Sequence, residues 1–255
     1  MGLFDNLAEM EKLGALENSS ERLKLYIIDW ICSNYLQRFN AKSCEPSRIY
    51  VDMNTTPPTV DYDGDLYTNM SITSLNNNGL FQWGVIKGDF KCTFCHSLKS
   101  LEGAPKEVHG GVYCVECSSL TSLEGAPKKV KHFNCQNCAS LTSLEGVPKE
   151  IDGNFDCSFC NSLINLKGAP EKVKGYFNCS YCDSLISLEG SPKEVGRDFS
   201  CYNCYLLETL KGGPEYVGGN FSCRNCESLK SLEGSPKKIG EVFDYAYCRS
   251  LTSNR

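Results

Sequence analysis

One spacing constrains this chain more than any other property. The first cysteine of a recurring Phe-x-Cys-x-x-Cys pattern falls at Cys92, Cys114, Cys135, Cys157, Cys179, Cys201 and Cys223, a step of 22 residues with a single step of 21. A fixed period of roughly 20 to 50 residues marks a solenoid or propeller. Units this small cannot bury their own apolar residues, so neighbours must stack and share one core. The clearest copy runs Phe155-Asp156-Cys157-Ser158-Phe159-Cys160-Asn161-Ser162-Leu163, followed by Leu166, Gly168, Pro170 and Val173. Phe and the first cysteine are two apart, so a short strand points both inward and turns the residues around them outward. Ser-Leu-x-x-Leu adds inward leucines, Gly-x-Pro turns the chain, and Val closes the coil. The expected fold is a repeat solenoid with one short parallel β-strand per repeat, an irregular return, and an N-terminal α-helical cap.

The expected domains follow. Residues 1–45 read as a helical hairpin: Leu7, Met10 and Leu13 have helical spacing, and a second helix capped by Asn18 or Ser19 carries Leu23, Ile27, Trp30, Ile31, Tyr35 and Phe39. Terminal repeats need such capping. Residues 46–88 read as β-structure with a degenerate first repeat. Arg48 to Asp52 resembles a strand, and Val60 to Tyr67 a hairpin around Asp63-Gly64. Gly64-Asp65-Leu66 and Ser74-Leu75 echo Gly88-Asp89-Phe90 and Ser100-Leu101. Asp61, Asp63 and Asp65 invite a calcium loop, but Gly at the sixth position and Glu at the twelfth are not in register, and a solvated turn is preferred. Residues 89–255 hold eight repeats, the last truncated.

The order Val173, Phe177, Cys179, Cys182, Leu185 follows the leucine-rich-repeat pattern, with the second cysteine at its Asn/Cys position. The spans from Val to Phe and from Cys to Leu are each one residue longer than usual. The wording Ser100-Leu101-Glu102-Gly103-Ala104-Pro105-Lys106-Glu107-Val108 resembles the leucine-rich-repeat-like proteins of bacteriophage and bacteria. Helices followed by short repeats are loosely similar to secreted leucine-rich-repeat effectors. The resemblance covers roughly residues 60–255. It implies partner binding, and a viral protein that covers or sequesters a host factor.

Other classes are disfavoured on chemical grounds. A formal charge of -5 does not suit a sequence-independent nucleic-acid binder, which shows a basic patch. No signal-peptide pattern or myristoylation pattern opens the chain. The longest apolar run, Leu23 to Leu36, is interrupted by Lys24, Asp29 and Asn34, so no membrane span is expected and the location is read as cytoplasmic, that of a host if viral. His96, His109 and His132 occupy different repeat registers, and no phosphate loop or nucleophile elbow is present, so no catalysis and no cofactor are expected.

The 17 cysteines follow the structural repeat and are read as reduced thiols. The competing reading is zinc, since Cys92-x2-Cys95-x18-Cys114-x2-Cys117 has a ribbon-like spacing. Stacked coils about 4.8 Å apart would instead place the sulfurs in two columns, whereas zinc needs four of them about 2.3 Å from one point. Buried cysteine also behaves as a small apolar residue. Glu102/Lys106, Glu124/Lys128, Glu145/Lys149, Glu189/Lys193 and Glu233/Lys237 flank the turns, while Lys167/Glu171 and Lys211/Glu215 exchange both signs, as expected of residues that meet across the turn.

Aromatic residues at outward positions are the candidate protein-binding set: Phe94, Tyr113, Phe159, Tyr176, Tyr181, Tyr202 and Tyr247. Phe159, Tyr176, Tyr181 and Tyr202 come from adjacent repeats and are expected to form one patch. Three functions are set out: a protein-binding solenoid that blocks a host protein, a virion or assembly component that self-associates through the edge at Phe243 to Arg255, and a zinc-dependent nucleic-acid binder.

Overall fold

The computed structural model describes residues 19–35, 46–68 and 70–251. Its first described element is α1 (Ser19–Asn34), followed by β1 (Ile49–Asp52), β2 (Thr59–Tyr62), β3 (Leu66–Tyr67) and β4 (Gln82–Ile86). From there the chain winds as a parallel β-solenoid of about 8 turns. Strands β5 (Phe90–Lys91), β7 (Gly111–Tyr113), β8 (His132–Asn134), β10 (Phe155–Asp156), β12 (Phe177–Asn178), β14 (Phe199–Ser200), β16 (Phe221–Ser222) and β18 (Phe243–Asp244) join β3 in one 9-stranded sheet, and neighbouring strands in it are parallel. We number the coils 1 to 8 by these strands from β5 onward.

The period-2 reading explains the core. Phe155 and Cys157 are buried while Asp156 between them is half-exposed, and coils 1 to 7 share the pattern. The phenyl rings stack along the axis: Phe155 on Phe177 at 5.1 Å and 6°, Phe177 on Phe199 at 5.2 Å and 7°. Aromatic pairs add roughly 0.5–1.5 kcal/mol beyond the area they bury.

The return of each coil adds a second, smaller ladder. β9 (Glu150–Ile151), β11 (Lys172–Val173), β13 (Glu194–Val195), β15 (Tyr216–Val217) and β17 (Lys238–Ile239) form a 5-stranded sheet, and β6 (Glu107–Val108) belongs to a 4-stranded sheet with β1, β2 and β4. The gap between these two sheets lies at the single 21-residue step. Other coils place a three-residue corner that includes Gly between the Val or Ile and the strand Phe or Val, but here the chain runs Val130-Lys131-His132-Phe133, one residue short. Without that corner residue Lys129-Val130 forms no strand, and a notch of about 580 Å³ opens against Pro148 and Glu150.

The hairpin expected over Val60 to Tyr67 is corrected. β1 and β2 are the antiparallel pair, with Ile49 opposite Tyr62 and Asp52 opposite Thr59. β2 then pairs with β4, and β3 with β5, so Asp63-Gly64 is the corner of a degenerate first coil, as the echo of Leu66 on Phe90 suggested. The three aspartates are used by the following coil: Asp61 accepts from the Val85 N–H at 2.7 Å, Asp65 from the Asp89 N–H at 2.8 Å, and Asp63 pairs with Lys87 at 3.0 Å.

Of the helical cap, the first helix expected before Leu16 lies outside the described residues, as does Phe39. α1 buries Ile27 and Ile31, as its stripe requires, and leaves Leu23 exposed. Trp30 meets Phe81 edge-on at 5.6 Å, and Tyr35 meets Trp83 at 5.1 Å. The Tyr35 hydroxyl donates to Asn77 Oδ1 at 2.6 Å.

The cysteines of the array are buried free thiols. From coil 2 onward the second cysteine donates Sγ–H to the carbonyl of the first cysteine one coil earlier: Cys160 to Cys135, Cys182 to Cys157, and Cys204 to Cys179, at 3.2, 3.3 and 3.2 Å. Burial holds the Cys179 and Cys204 thiols well above the usual range. Among the described residues no group of three or more metal-ligating side chains converges. Cys32 in α1 corrects the expectation that every cysteine is a reduced thiol: it is disulfide-bonded.

The charged turn positions are also corrected. They pair along the solenoid axis, not across the turn: Lys149 with Glu171 at 2.9 Å, Lys167 with Glu189 at 3.3 Å, Lys211 with Glu233 at 3.0 Å and Lys237 with Glu215 at 2.7 Å. From coil 3 onward, exchanging both signs in alternate coils turns two columns of like charge into two alternating ladders.

Candidate functional site

The outer face of the 9-stranded sheet repeats two positions coil after coil, and the candidate site is where aromatic residues fill them on consecutive coils. Immediately before the strand Phe, an Asp, Asn or His accepts the backbone N–H of the equivalent residue, or its neighbour, one coil later. Asp89 takes Gly111 at 2.8 Å, His132 takes Asn154 at 3.1 Å, Asn154 takes Tyr176 at 3.2 Å and Asp198 takes Asn220 at 2.7 Å. Tyr176 occupies this position in coil 5, as Gly111 does in coil 2 and Val242 in coil 8, and none of the three supplies such an acceptor.

A second column lies between the cysteines, where the chain must enter the left-handed region. The φ values are 57° at Asn137, 58° at Asn203 and 60° at Asn225, the residue type that tolerates this conformation best after glycine. Phe159 and Tyr181 hold the same conformation at 60° and 59°, as do Phe94, Glu116 and Tyr247 at 61°, 59° and 64°. For a bulky residue it costs roughly 1–2 kcal/mol. Their rings stack on each other at 4.4 Å and 6°, and Tyr202 meets Tyr181 edge-on at 5.3 Å.

These side chains wall a groove of about 530 Å³, with Asp156, Asn178, Ser180, Asp198 and Ser200 along its floor. Phe159, Tyr176, Tyr181 and Tyr202 are therefore brought together, as expected. No family model, curated protein or solved structure matches the chain. The site is accordingly read from its own geometry.

The other three candidates stand apart. Phe94 is exposed in coil 1, with Glu116 and Asn137 between it and Phe159 in the same column. Tyr113 lies over Gly111 and beneath the Lys91 ammonium, which sits 5.6 Å from its ring centroid. Tyr247 is exposed in coil 8 with the Arg224 guanidinium 4.4 Å from its ring centroid. The C-terminal edge exposes Val242 and Tyr245; residues 252–255 of the segment named for self-association lie outside the described residues.

The structure adds four exposed side chains to the candidate set. Tyr205 and Leu206 follow Cys204, where other coils have a polar or small residue and then Ser; both are exposed. Ile164 and Ile186 are exposed on consecutive coils, linked by the Ile186 N–H to the Ile164 carbonyl at 3.0 Å. Their positions are Lys, Thr or Glu in the neighbouring described coils. The signal was present as departures from the repeat: an apolar residue at an outward position in coils 4 to 6, the same coils that carry the ring cluster. Exposed apolar residues grouped in this way mark interaction sites.

The histidines form no cluster. His96 lies beside Ser118 at 3.2 Å, His109 beside Glu107 at 3.0 Å, and His132 accepts from Asn154. Burial and the neighbouring Lys131 push the His132 imidazole down from its ordinary value. Among the described residues no helix is long and apolar enough to cross a membrane.

Proposed function

We propose that the chain is a non-enzymatic protein-binding solenoid that engages its partner through coils 4 to 6. The observation that carries the reading is that Phe159, Tyr176 and Tyr181 fill these outward positions on consecutive coils, where their rings line one groove. Tyr176 gives up a backbone acceptor, and the two rings accept a left-handed backbone that Asn suits better. Backbone strain of this kind supports a hypothesis of function when it is observed first. Tyr205, Leu206, Ile164 and Ile186 widen the patch around the corner, giving the aromatic and aliphatic anchors typical of binding hot spots. The repeat wording extends the proposal to a phage-encoded protein that covers a host factor, with inhibition by steric occlusion.

The test uses the repeat's own vocabulary. Phe159→Asn with Tyr181→Asn imports the residue found in coils 3 and 6. Relief of the left-handed strain offsets the lost ring stack, each about 1 kcal/mol, so the melting temperature is expected to stay near that of the parent. Affinity purification from a candidate host, read by mass spectrometry, should return a stoichiometric protein with the parent and lose it with the variant. Equal recovery by both would sink this face as the binding site.

A further inference from the structure

The same sheet face holds three sites built from carboxylates and aromatic rings, and two of them are filled by the chain itself. In coil 1 the Lys91 ammonium pairs with Asp65 at 3.2 Å and Asp89 at 2.8 Å, between the rings of Tyr67 at 5.1 Å and Tyr113 at 5.6 Å. Toward the C-terminus Arg224 lies 4.4 Å from the centroid of Tyr247 and 3.6 Å from Asp244. The third is the groove of coils 4 to 6. It offers Asp156 and Asp198 on the floor and Tyr176, Tyr181 and Tyr202 on the walls.

Among the described residues this third site holds no cation of its own. At the positions equivalent to Lys91, coils 5 and 6 have Asn178 and Ser200. Among the described residues no Lys or Arg forms an ion pair with Asp156 or Asp198. The carboxylates are oriented by neutral donors instead. Asp156 accepts the Ser158 N–H and hydroxyl at 2.9 and 2.6 Å and the Asn178 amide at 3.1 Å, and Asp198 accepts the Asn220 N–H and amide at 2.7 and 3.0 Å. A carboxylate retains further acceptor capacity after such contacts, and aromatic rings attract a cation over their faces.

We infer that the groove receives an Arg or Lys side chain from an extended segment of the partner, completing the arrangement that Lys91 and Arg224 complete elsewhere. The inference rests on the protein-binding reading and adds the chemistry of what is bound. Strand geometry suits the occupant, since alternate residues of an extended segment lie on one side and can follow the row of outward side chains. Arg is the better fit to a carboxylate between rings because its planar head both stacks and donates in a fork.

The experiment presents the full chain to an array of degenerate heptapeptides whose central residue is Arg, Lys, Gln or Glu. Arg- and Lys-centred peptides are expected to be retained about tenfold better than Gln-centred ones, the ratio given by one charge-assisted hydrogen bond. Asp198→Asn keeps the Oδ1 acceptor for Asn220 and should erase that preference without unfolding the protein. Retention of Gln- or Glu-centred peptides equal to that of Arg would overturn the inference and leave the protein-binding reading standing. So would retention of no peptide of any kind, if the partner is still captured through Phe159 and Tyr181. Selective retention of neutral oligosaccharides on a parallel glycan array, with no partner protein captured, would overturn both.

Discussion

If the second cysteine of each coil is a hydrogen-bonding element as well as a filler, Ala and Ser should differ at that position. Cys182 is buried in coil 5, and its Sγ–H reaches the Cys157 carbonyl at 3.3 Å. Among the described residues that carbonyl accepts no backbone N–H. Cys182→Ala therefore leaves a buried acceptor orphaned, at roughly 1–3 kcal/mol, and removes a sulfur's worth of packing, at about 1–2 kcal/mol. The sum is about 2–5 kcal/mol, a large part of the stability of a domain. Cys182→Ser keeps the donor and should cost roughly half as much.

Solenoid stability is a sum of coil terms and nearest-neighbour interfaces, so a lesion this central should also divide the array. Trp30 and Trp83 report only the N-terminal end, whereas far-UV circular dichroism reports every coil. Guanidinium melts under reducing conditions should give coincident curves in the parent and separated ones in Cys182→Ala. Equal losses for Ala and Ser would refute the hydrogen-bonding role. A parent whose stability falls on zinc chelation would replace the thiol ladder with a metal site.

Two further outcomes follow from the geometry. Inserting Gly between Lys131 and His132 restores the 22-residue step, so Lys129-Val130 should join the second ladder; amide exchange would show new protection there and across Glu150-Ile151. The Asp65 carboxyl is raised by partial burial, but the Asp89 N–H and Lys91 outweigh this and leave it below its ordinary 3.8. Its contribution is thus present above that value and is lost as pH falls through the depressed one. Acid titration of the melting temperature should be shallower in Asp65→Asn than in the parent below about pH 4.

The period made the fold legible because every coil solves the same burial problem. Phe177, Cys179, Leu185, Leu188 and Val195 are all buried at the positions the pattern assigns inward. The ring cluster of Phe159, Tyr176, Tyr181 and Tyr202 was legible for the same reason, since residues one period apart become neighbours. What failed were inferences from local sequence. Asp63-Gly64 has hairpin chemistry, but in-register pairing of Leu66 with Phe90 gives the next coil the stronger claim on the chain. Glu and Lys flanking one turn look like partners, yet the facing residue one coil away is nearer in the sense that matters. Leu206, Ile164 and Ile186 escaped because each is ordinary alone; only comparison with the same position in other coils shows them misplaced.

The short coil bears on folding as well as on shape. In a nearly periodic chain, pairing a strand with the coil after next forms contacts almost as good as the native ones, so slippage by a whole period is a low-cost error. A uniform array carries no landmark against it. The 21-residue step supplies one in the return of the coil: Lys129-Val130 forms no strand there, while the main ladder stays in register with Val112 opposite Phe133. A slip by a whole coil would set this interrupted return against coils that carry a full one, losing pairs such as Lys172 with Glu150 in the second ladder. The missing residue at Val130-Lys131-His132 thus acts as a phase mark, confining misregistered stacking to segments on either side of it.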